Sequence, residues 1–232
     1  MIQNKLSVFF LAVFLLLIPA IAFSFTDDFQ FAYQGSIFYL ASDNGKQGAD
    51  PPAILPSVGF SFAWNFWGPL RLEFTEDLYF TNYEYNPDPG YPMACNPENR
   101  SAFVMGFLTG LQLAGNIPIG DNGHAIRVYG GPAADLRLVI LAFGLHHPSD
   151  FTGDIETDAQ LQTDAIAEYF WSKARWFLPT AGVGMDFPAN EKYLLGFDLR
   201  AWFPIYRLWT GEDIPAIDGW RFGAGVRITP RR

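Results

Sequence analysis

Ser57–Pro69 reads SVGFSFAWNFWGP. From Ser57 the side chains alternate without a slip. Ser57, Gly59, Ser61, Ala63 and Asn65 are small or polar, while Val58, Phe60, Phe62, Trp64 and Phe66 are large and apolar. A repeat of two residues is the pleat of a β-strand, so this segment has one greasy face and one slim face. Which of the two faces meets water decides the fold class.

The same alternation recurs about eight times along the chain, in 29–40, 57–67, 70–81, 102–114, 125–143, 176–187, 193–205 and 220–229. In 70–81, Leu70, Leu72, Phe74, Leu78 and Phe80 oppose Arg71, Glu73, Thr75, Asp77 and Tyr79. In 220–229, Trp220, Phe222, Ala224, Val226 and Ile228 oppose Arg221, Gly223, Gly225 and Arg227. Connections alternate in length. Gly68-Pro69, Asn116–His124 and Pro188–Glu191 are short and turn-like, whereas 41–52, 82–100, 144–175 and 210–219 are longer and polar. This predicts antiparallel neighbours joined by tight turns at one end and loops at the other.

Charge separates the faces. The slim parity carries Arg71, Glu73, Asp77, Arg127, Asp135, Arg137, Asp186, Asp198, Arg200, Arg221 and Arg227; the greasy parity, away from strand ends, carries only Glu76. A soluble barrel would turn the aromatics inward, and that fails on volume. Eight strands enclose a space just wide enough for side chains to fill. The greasy set, with several large residues on nearly every strand, is too bulky for it; the slim set fits. The greasy face therefore points outward into lipid, where charge costs about 2–4 kcal/mol per residue at the midplane. Trp64, Phe66 and Trp67, beside the Gly68-Pro69 turn, are expected in an interfacial aromatic girdle.

The N-terminal segment supports export. Lys5 precedes the apolar run Leu6–Ile18, and Ala20-Ile21-Ala22 forms an A-x-A cleavage site, so 1–22 reads as a signal peptide and 23–232 as one barrel domain. Hydrophobic residues make up 50% of the chain and aromatics 17%, yet mean hydropathy is only +0.08. After Phe25 no apolar run reaches the ~18 residues of a membrane-spanning helix. The single cysteine, Cys95, excludes an internal disulfide framework, and the net charge of −9 argues against nucleic acid as a partner. No cofactor is expected.

With signal peptide, eight alternating strands, short turns, long loops and the glycine-rich last strand Gly219–Ile228 (GWRFGAGVRI), the chain resembles the small eight-stranded outer-membrane β-barrels of the OmpA, OmpX and OmpW kind. The resemblance implies an all-β, up-and-down transmembrane barrel in the outer membrane of a diderm bacterium, monomeric, with periplasmic turns and extracellular loops. It departs from the group at Thr229-Pro230-Arg231-Arg232, where an aromatic residue is usual. The four longer connections hold fourteen acidic and four basic residues, which implies an acidic outer mouth that attracts cations and basic partners.

Several constellations bear on function. Six arginines and five carboxylates in a narrow lumen must pair. As the resemblance to OmpA implies, they form a salt-bridged plug and leave a structural or surface-interaction role to the loops. The alternative is a gated narrow channel, or an OmpW-like conduit for small molecules; the charges count against an apolar conduit. In 144–175, His147 and Ser149 match the His-x-Ser spacing of outer-membrane lipid A deacylases, with Glu156 as a candidate orienting carboxylate. Glu156 comes earlier than that family's glutamate, and Pro148 restrains the pair, so a non-enzymatic polar loop is the reading preferred. Asp150, Asp154, Glu156 and Asp158 form a candidate loop cation site without EF-hand spacing. In 158–173, Leu161, Ala165 and Tyr169 fall at helical spacing, as do Ile166 and Phe170, which predicts a short helix at the barrel mouth or the membrane interface. The tyrosine-rich 82–100 segment, which contains Cys95, suits recognition of an extracellular ligand.

Overall fold

A computed structural model describes residues 29–41, 54–84, 101–120, 122–143, 170–210 and 220–231. The strands are β1 (Phe29–Ala41), β2 (Ile54–Trp67), β3 (Leu70–Glu84), β4 (Ser101–Ile119), β5 (His124–Gly131), β6 (Ala133–Phe143), β7 (Thr180–Pro188), β8 (Tyr193–Trp202) and β9 (Trp220–Pro230). All pairings are antiparallel. The ladder runs β1 to β2 to β3 to β4, then through β5 and β6 to β7, β8 and β9, and β9 closes on β1 from Tyr33↔Ile228 to Ala41↔Trp220. The wall is an eight-stranded closed barrel, as the sequence predicts.

The ninth segment arises from a break. The alternation of 125–143 reads as one strand, but the ladder is interrupted at Pro132, which divides it into β5 and β6. Proline has no N–H to give to a ladder. Its carbonyl still accepts from Leu111 N at 3.0 Å. Below the break β5 pairs with β7 from Ala125↔Asp186 to Gly131↔Thr180. Above it, contact with the chain leading into β7 is brief. Leu178 N donates to the Ala133 carbonyl at 2.9 Å and Asp135 N to that of Trp176 at 2.7 Å. The strand expected from Trp176 therefore begins at Thr180, behind Pro179.

The tight turns occupy one end. Gly68 follows β2 at φ +53°, a left-handed value that favours glycine. Asn190 closes the β7–β8 turn, its side-chain Oδ1 accepting from Lys192 N at 2.8 Å and Tyr193 N at 2.9 Å.

Burial is inverted relative to a water-soluble protein. In β2, Ser57, Ser61 and Ala63 are buried while Val58, Trp64 and Phe66 are exposed, and Trp67 is 73% exposed. Among buried residues are Arg71, Glu73, Asp77, Arg127, Asp135, Arg137, Arg200, Arg221 and Arg227. The slim set is not uniformly slim. Phe38, Leu40, Leu55, Tyr79, Leu108, Tyr129 and Trp202 also point inward and are buried. Glycines make room for them. A Cβ at Gly106 would overlap the Tyr79 ring, one at Gly182 the Tyr129 ring, and one at Gly223 would press on Phe38 and Trp202. Gly106→Ala is expected to destabilise the barrel by ~1–3 kcal/mol through overpacking. Urea titration of the vesicle-inserted protein measures it, and Gly35→Ala, where a Cβ meets nothing within 4 Å, is the control.

Candidate functional site

All eleven charged residues of the slim parity are buried inside the barrel, and six of the nine strands, β3 and β5 to β9, supply them. They form three groups stacked from the turn end toward the loop end. At the turn end Glu73 is the hub. Its Oε1 accepts from Arg127 Nη1 and, at 3.2 Å, from Arg227 Nη1, and its Oε2 lies 3.3 Å from Arg71 Nε. Arg127 Nη2 also pairs with Asp198 Oδ1. Arg227 Nη2 reaches both oxygens of Asp186 at 2.7 and 2.8 Å, and Arg71 Nη1 donates to Gln30 Oε1 at 3.4 Å. Three arginines meet three carboxylates, so the group is neutral.

The middle group is a single pair with hydroxyl support. Arg200 Nη1 donates to Asp77 Oδ2 at 2.6 Å and Arg200 Nη2 to Ser36 Oγ at 2.5 Å. Ser57 Oγ donates to Asp77 Oδ1 at 3.3 Å. Ser36 and Gly225 are ladder partners, and a Cβ at Gly225 would crowd the Ser36 hydroxyl, so the glycine leaves Ser36 free to face Arg200.

The third group centres on Asp135. Arg221 Nη2 lies 2.6 Å and Arg137 Nε 3.1 Å from its Oδ2, and Tyr79 OH donates to its Oδ1 at 2.7 Å. Among the described residues, Arg137 and Arg221 share this carboxylate. The Arg137 guanidinium sits 4.2 Å from the Phe170 ring centroid, which offers it a π face. Residue-type parity in the sequence finds these charges; it does not find Phe170, which lies beyond the alternating segments and is buried. Nor does it find Arg175, a loop arginine that is buried with its Nη1 donating to Ser172 Oγ at 2.6 Å.

Around the second and third groups lies an apolar cap. Phe38, Leu55, Tyr79, Leu108, Ala133, Leu178 and Trp202 form one buried cluster. Phe38 meets Trp202 edge to face at 5.1 Å between centroids and Tyr79 at 6.5 Å. Arg200 lies 5.2 Å from the Trp202 ring centroid. Ion pairs within a low-dielectric sleeve of aromatic rings are strong only when geometry and hydrogen bonds are complete. Such an arrangement can hold the wall rigid and oppose the passage of an ion.

Of the remaining sequence expectations, His147, Ser149, Glu156, Asp150, Asp154, Asp158 and Cys95 lie outside the described residues, as do 1–22. Of the helix expected in 158–173 only the end is described: Phe170 and Trp171 are helical and continue into the 3-10 turn Ser172–Ala174, where Lys173 and Ala174 adopt φ 52° and 55°. A further short helix, α1 (Arg207–Thr210), follows β8, and Trp209 Nε1 donates to the Lys173 carbonyl at 3.0 Å, linking the two segments. Among the described residues no cluster of three or more His, Cys, Asp or Glu could hold a metal ion.

No family model and no curated protein matches the chain. Among solved structures it is similar to the outer membrane protein OprG of Pseudomonas aeruginosa, at 11% identity over 86% of this chain and 95% of that one, TM-score 0.47. It is similar to Ail, the attachment invasion locus protein of Yersinia pestis, at 6% identity over 88% and 97%, TM-score 0.47. It is also similar to the neisserial surface protein A, at 15% identity over 87% and 97%, TM-score 0.37.

Proposed function

We propose that the chain is an integral outer-membrane β-barrel protein, not an enzyme, whose lumen is a salt-bridged plug and whose acidic loops carry a structural or surface-interaction role. The carrying observation is the inverted burial. Asp77 is 0% and Arg137 1% exposed, while Val58, Leu199 and Trp67 are 66%, 62% and 73% exposed. A bilayer is the solvent in which that distribution is favourable, because charge is paired inside and apolar side chains meet hydrocarbon. Trp64, Phe66 and Trp67 beside one turn, with Trp220 and Phe222 toward the other end, suit two interfacial girdles.

Closure of the lumen follows from the pairing. An ion entering from the turn end meets Glu73 already engaged by three guanidiniums, and one entering from the other end meets the aromatic cap. The second reading, a narrow channel or conduit for small molecules, is favoured by the break at Pro132. Beyond Asp135, β6 has a ladder partner only on its β4 side among the described residues.

Single-channel conductance of the refolded chain in a planar bilayer separates the two readings. Wild type is expected to be silent, and Arg137→Ala, which removes the cation between Asp135 and Phe170, to open intermittently. Steady conductance in wild type overturns the plug and makes the channel the better account.

A further inference from the structure

Among the described residues no strand follows β6 before Thr180; the segment Phe170–Leu178 leads into β7 instead. At its far end this segment is tied to β6. Ala134 and Phe177 form an isolated bridge, with Leu178 N donating to the Ala133 carbonyl at 2.9 Å and Asp135 N to that of Trp176 at 2.7 Å. Before the bridge, backbone bonds close within the segment itself. Arg175 N donates to the Ser172 carbonyl at 3.2 Å and Phe177 N to that of Ala174 at 3.0 Å. At its start Phe170 is 1% exposed and seats its ring against Arg137 of the third ion-pair group.

The middle of the segment is strained. Lys173 and Ala174 stand at φ 52° and 55°, two successive side-chain-bearing residues in the left-handed region. Such strain persists only where the surroundings hold it. At the strained turn, Trp209 Nε1 of α1 reaches across and donates to the Lys173 carbonyl at 3.0 Å. Trp209 is 53% exposed, so this hold is made at the surface, where water competes for both groups. The opposite side of the wall is built differently. There β9 closes on β1 as a continuous ladder from Tyr33↔Ile228 to Ala41↔Trp220. Local opening begins where ties to the ladder are few, and the segment is such a place.

We propose that Phe170–Leu178 is a hinged strap that opens and closes the loop-side end of the lumen. The Ala134–Phe177 bridge is its hinge and the Trp209 indole its latch. Strain at Lys173 and Ala174 favours release; the latch and the seat of Phe170 on Arg137 oppose it. Released at the latch, the segment turns on the hinge and lifts Phe170 away. Water and small solutes then reach Asp135, Arg137 and Arg221. The Asp77 and Glu73 groups lie nearer the turn end and stay paired, so the strap governs access to one end of the plug and not conduction through it. The proposal rests on the closed-lumen reading above.

The test uses the full chain refolded into phosphatidylcholine vesicles, as wild type, Trp209→Phe and Ala174→Gly. Trp209→Phe keeps an aromatic ring and removes the N–H donor. Ala174→Gly relieves the strain, because glycine takes that φ freely and an alanine there costs more than the looser glycine chain. Hydrogen exchange with peptide mass mapping reads 170–178 and, in the closing ladder, 33–41. Phenylglyoxal, an arginine reagent in water, reads access to Arg137 and, deeper, to Arg127. Trp209→Phe is expected to speed both exchange in 170–178 and labelling of Arg137 by about three- to tenfold, the worth of one net hydrogen bond. Ala174→Gly is expected to slow both, with 33–41 and Arg127 unchanged in all three proteins. Equal rates in the three proteins, or a rise in 33–41 as large as that in 170–178, overturns the strap and leaves the closed lumen standing. Arg127 labelled as fast as Arg137 in wild type overturns the closed lumen instead.

Discussion

Glu73→Gln is expected to cost the barrel about 3–5 kcal/mol, the range for removing one partner of a buried ion pair. The side chain keeps its size and loses its charge, so packing is not the cause. Arg71, Arg127 and Arg227 all converge on this carboxylate, and each is buried. Without it, Arg127 keeps Asp198 and Arg227 keeps Asp186, but three guanidiniums then share two carboxylates. Asp186→Asn is expected to cost less, since Asp186 engages Arg227, which keeps Glu73. Adding Arg71→Met to Glu73→Gln restores the balance of charge, so the double variant is expected to be more stable than the single one, a non-additivity typical of coupled groups. Urea titration in vesicles, followed by tryptophan emission and heat-modifiable migration, reads all four proteins. A loss under about 1 kcal/mol for Glu73→Gln, the median for a solvated pair, shows that water reaches the hub and the lumen is not closed.

Leu199→Arg tests the opposite face. Leu199 is 62% exposed on the outward parity of β8 and pairs with Val183 and Ala224, well within the ladder. An arginine facing lipid near the midplane costs about 2–4 kcal/mol, falling to about 0–1 near the interface. Leu208→Arg is the matched control, because Leu208 is 85% exposed on α1, beyond the end of β8. The expected result is a large loss for Leu199→Arg and almost none for Leu208→Arg in the same vesicles. Equal small losses are the result that sinks the membrane-facing assignment, since an arginine in water would be tolerated at both positions. Together the two experiments ask which face is dry: the first tests the closure of the interior and the second the nature of the exterior.

Much of this arrangement is legible in residue order. Strand pleat ties odd and even positions to opposite faces, so Val58, Phe60, Phe62 and Trp64 must share a side whatever the strand packs against. The same rule puts Arg71, Glu73 and Asp77 on the other side, and the limited interior of eight strands decides which side is inside. Fold class needs no long-range information because period and volume are local and additive quantities. Strand ends are less legible: Pro132 and Pro179 interrupt ladders where the alternation of 125–143 and 176–187 continues past them.

Partner choice is a different kind of quantity. Arg127 meets Glu73 across 54 residues and Asp198 across 71, and Arg200 meets Asp77 across 123. Which guanidinium faces which carboxylate depends on the tilt and stagger of the closed wall, and parity along one strand carries neither. The aromatic cap is decided the same way. Phe38, Tyr79 and Trp202 sit on the slim parity of three separate strands and look like exceptions to it; only the closed barrel brings them to one level, with Gly106 and Gly223 leaving space for the rings. Glu76 stands between the two cases. Its order in the chain marks it as the one charge on the greasy side, and the β3–β4 register supplies the Thr109 hydroxyl that donates to its Oε2. Pattern along the chain thus settled the wet and dry faces, because side-chain direction alternates by covalent geometry. Closure settled the chemistry within the lumen, because charges separated by whole strands meet only when the ladder returns to its start.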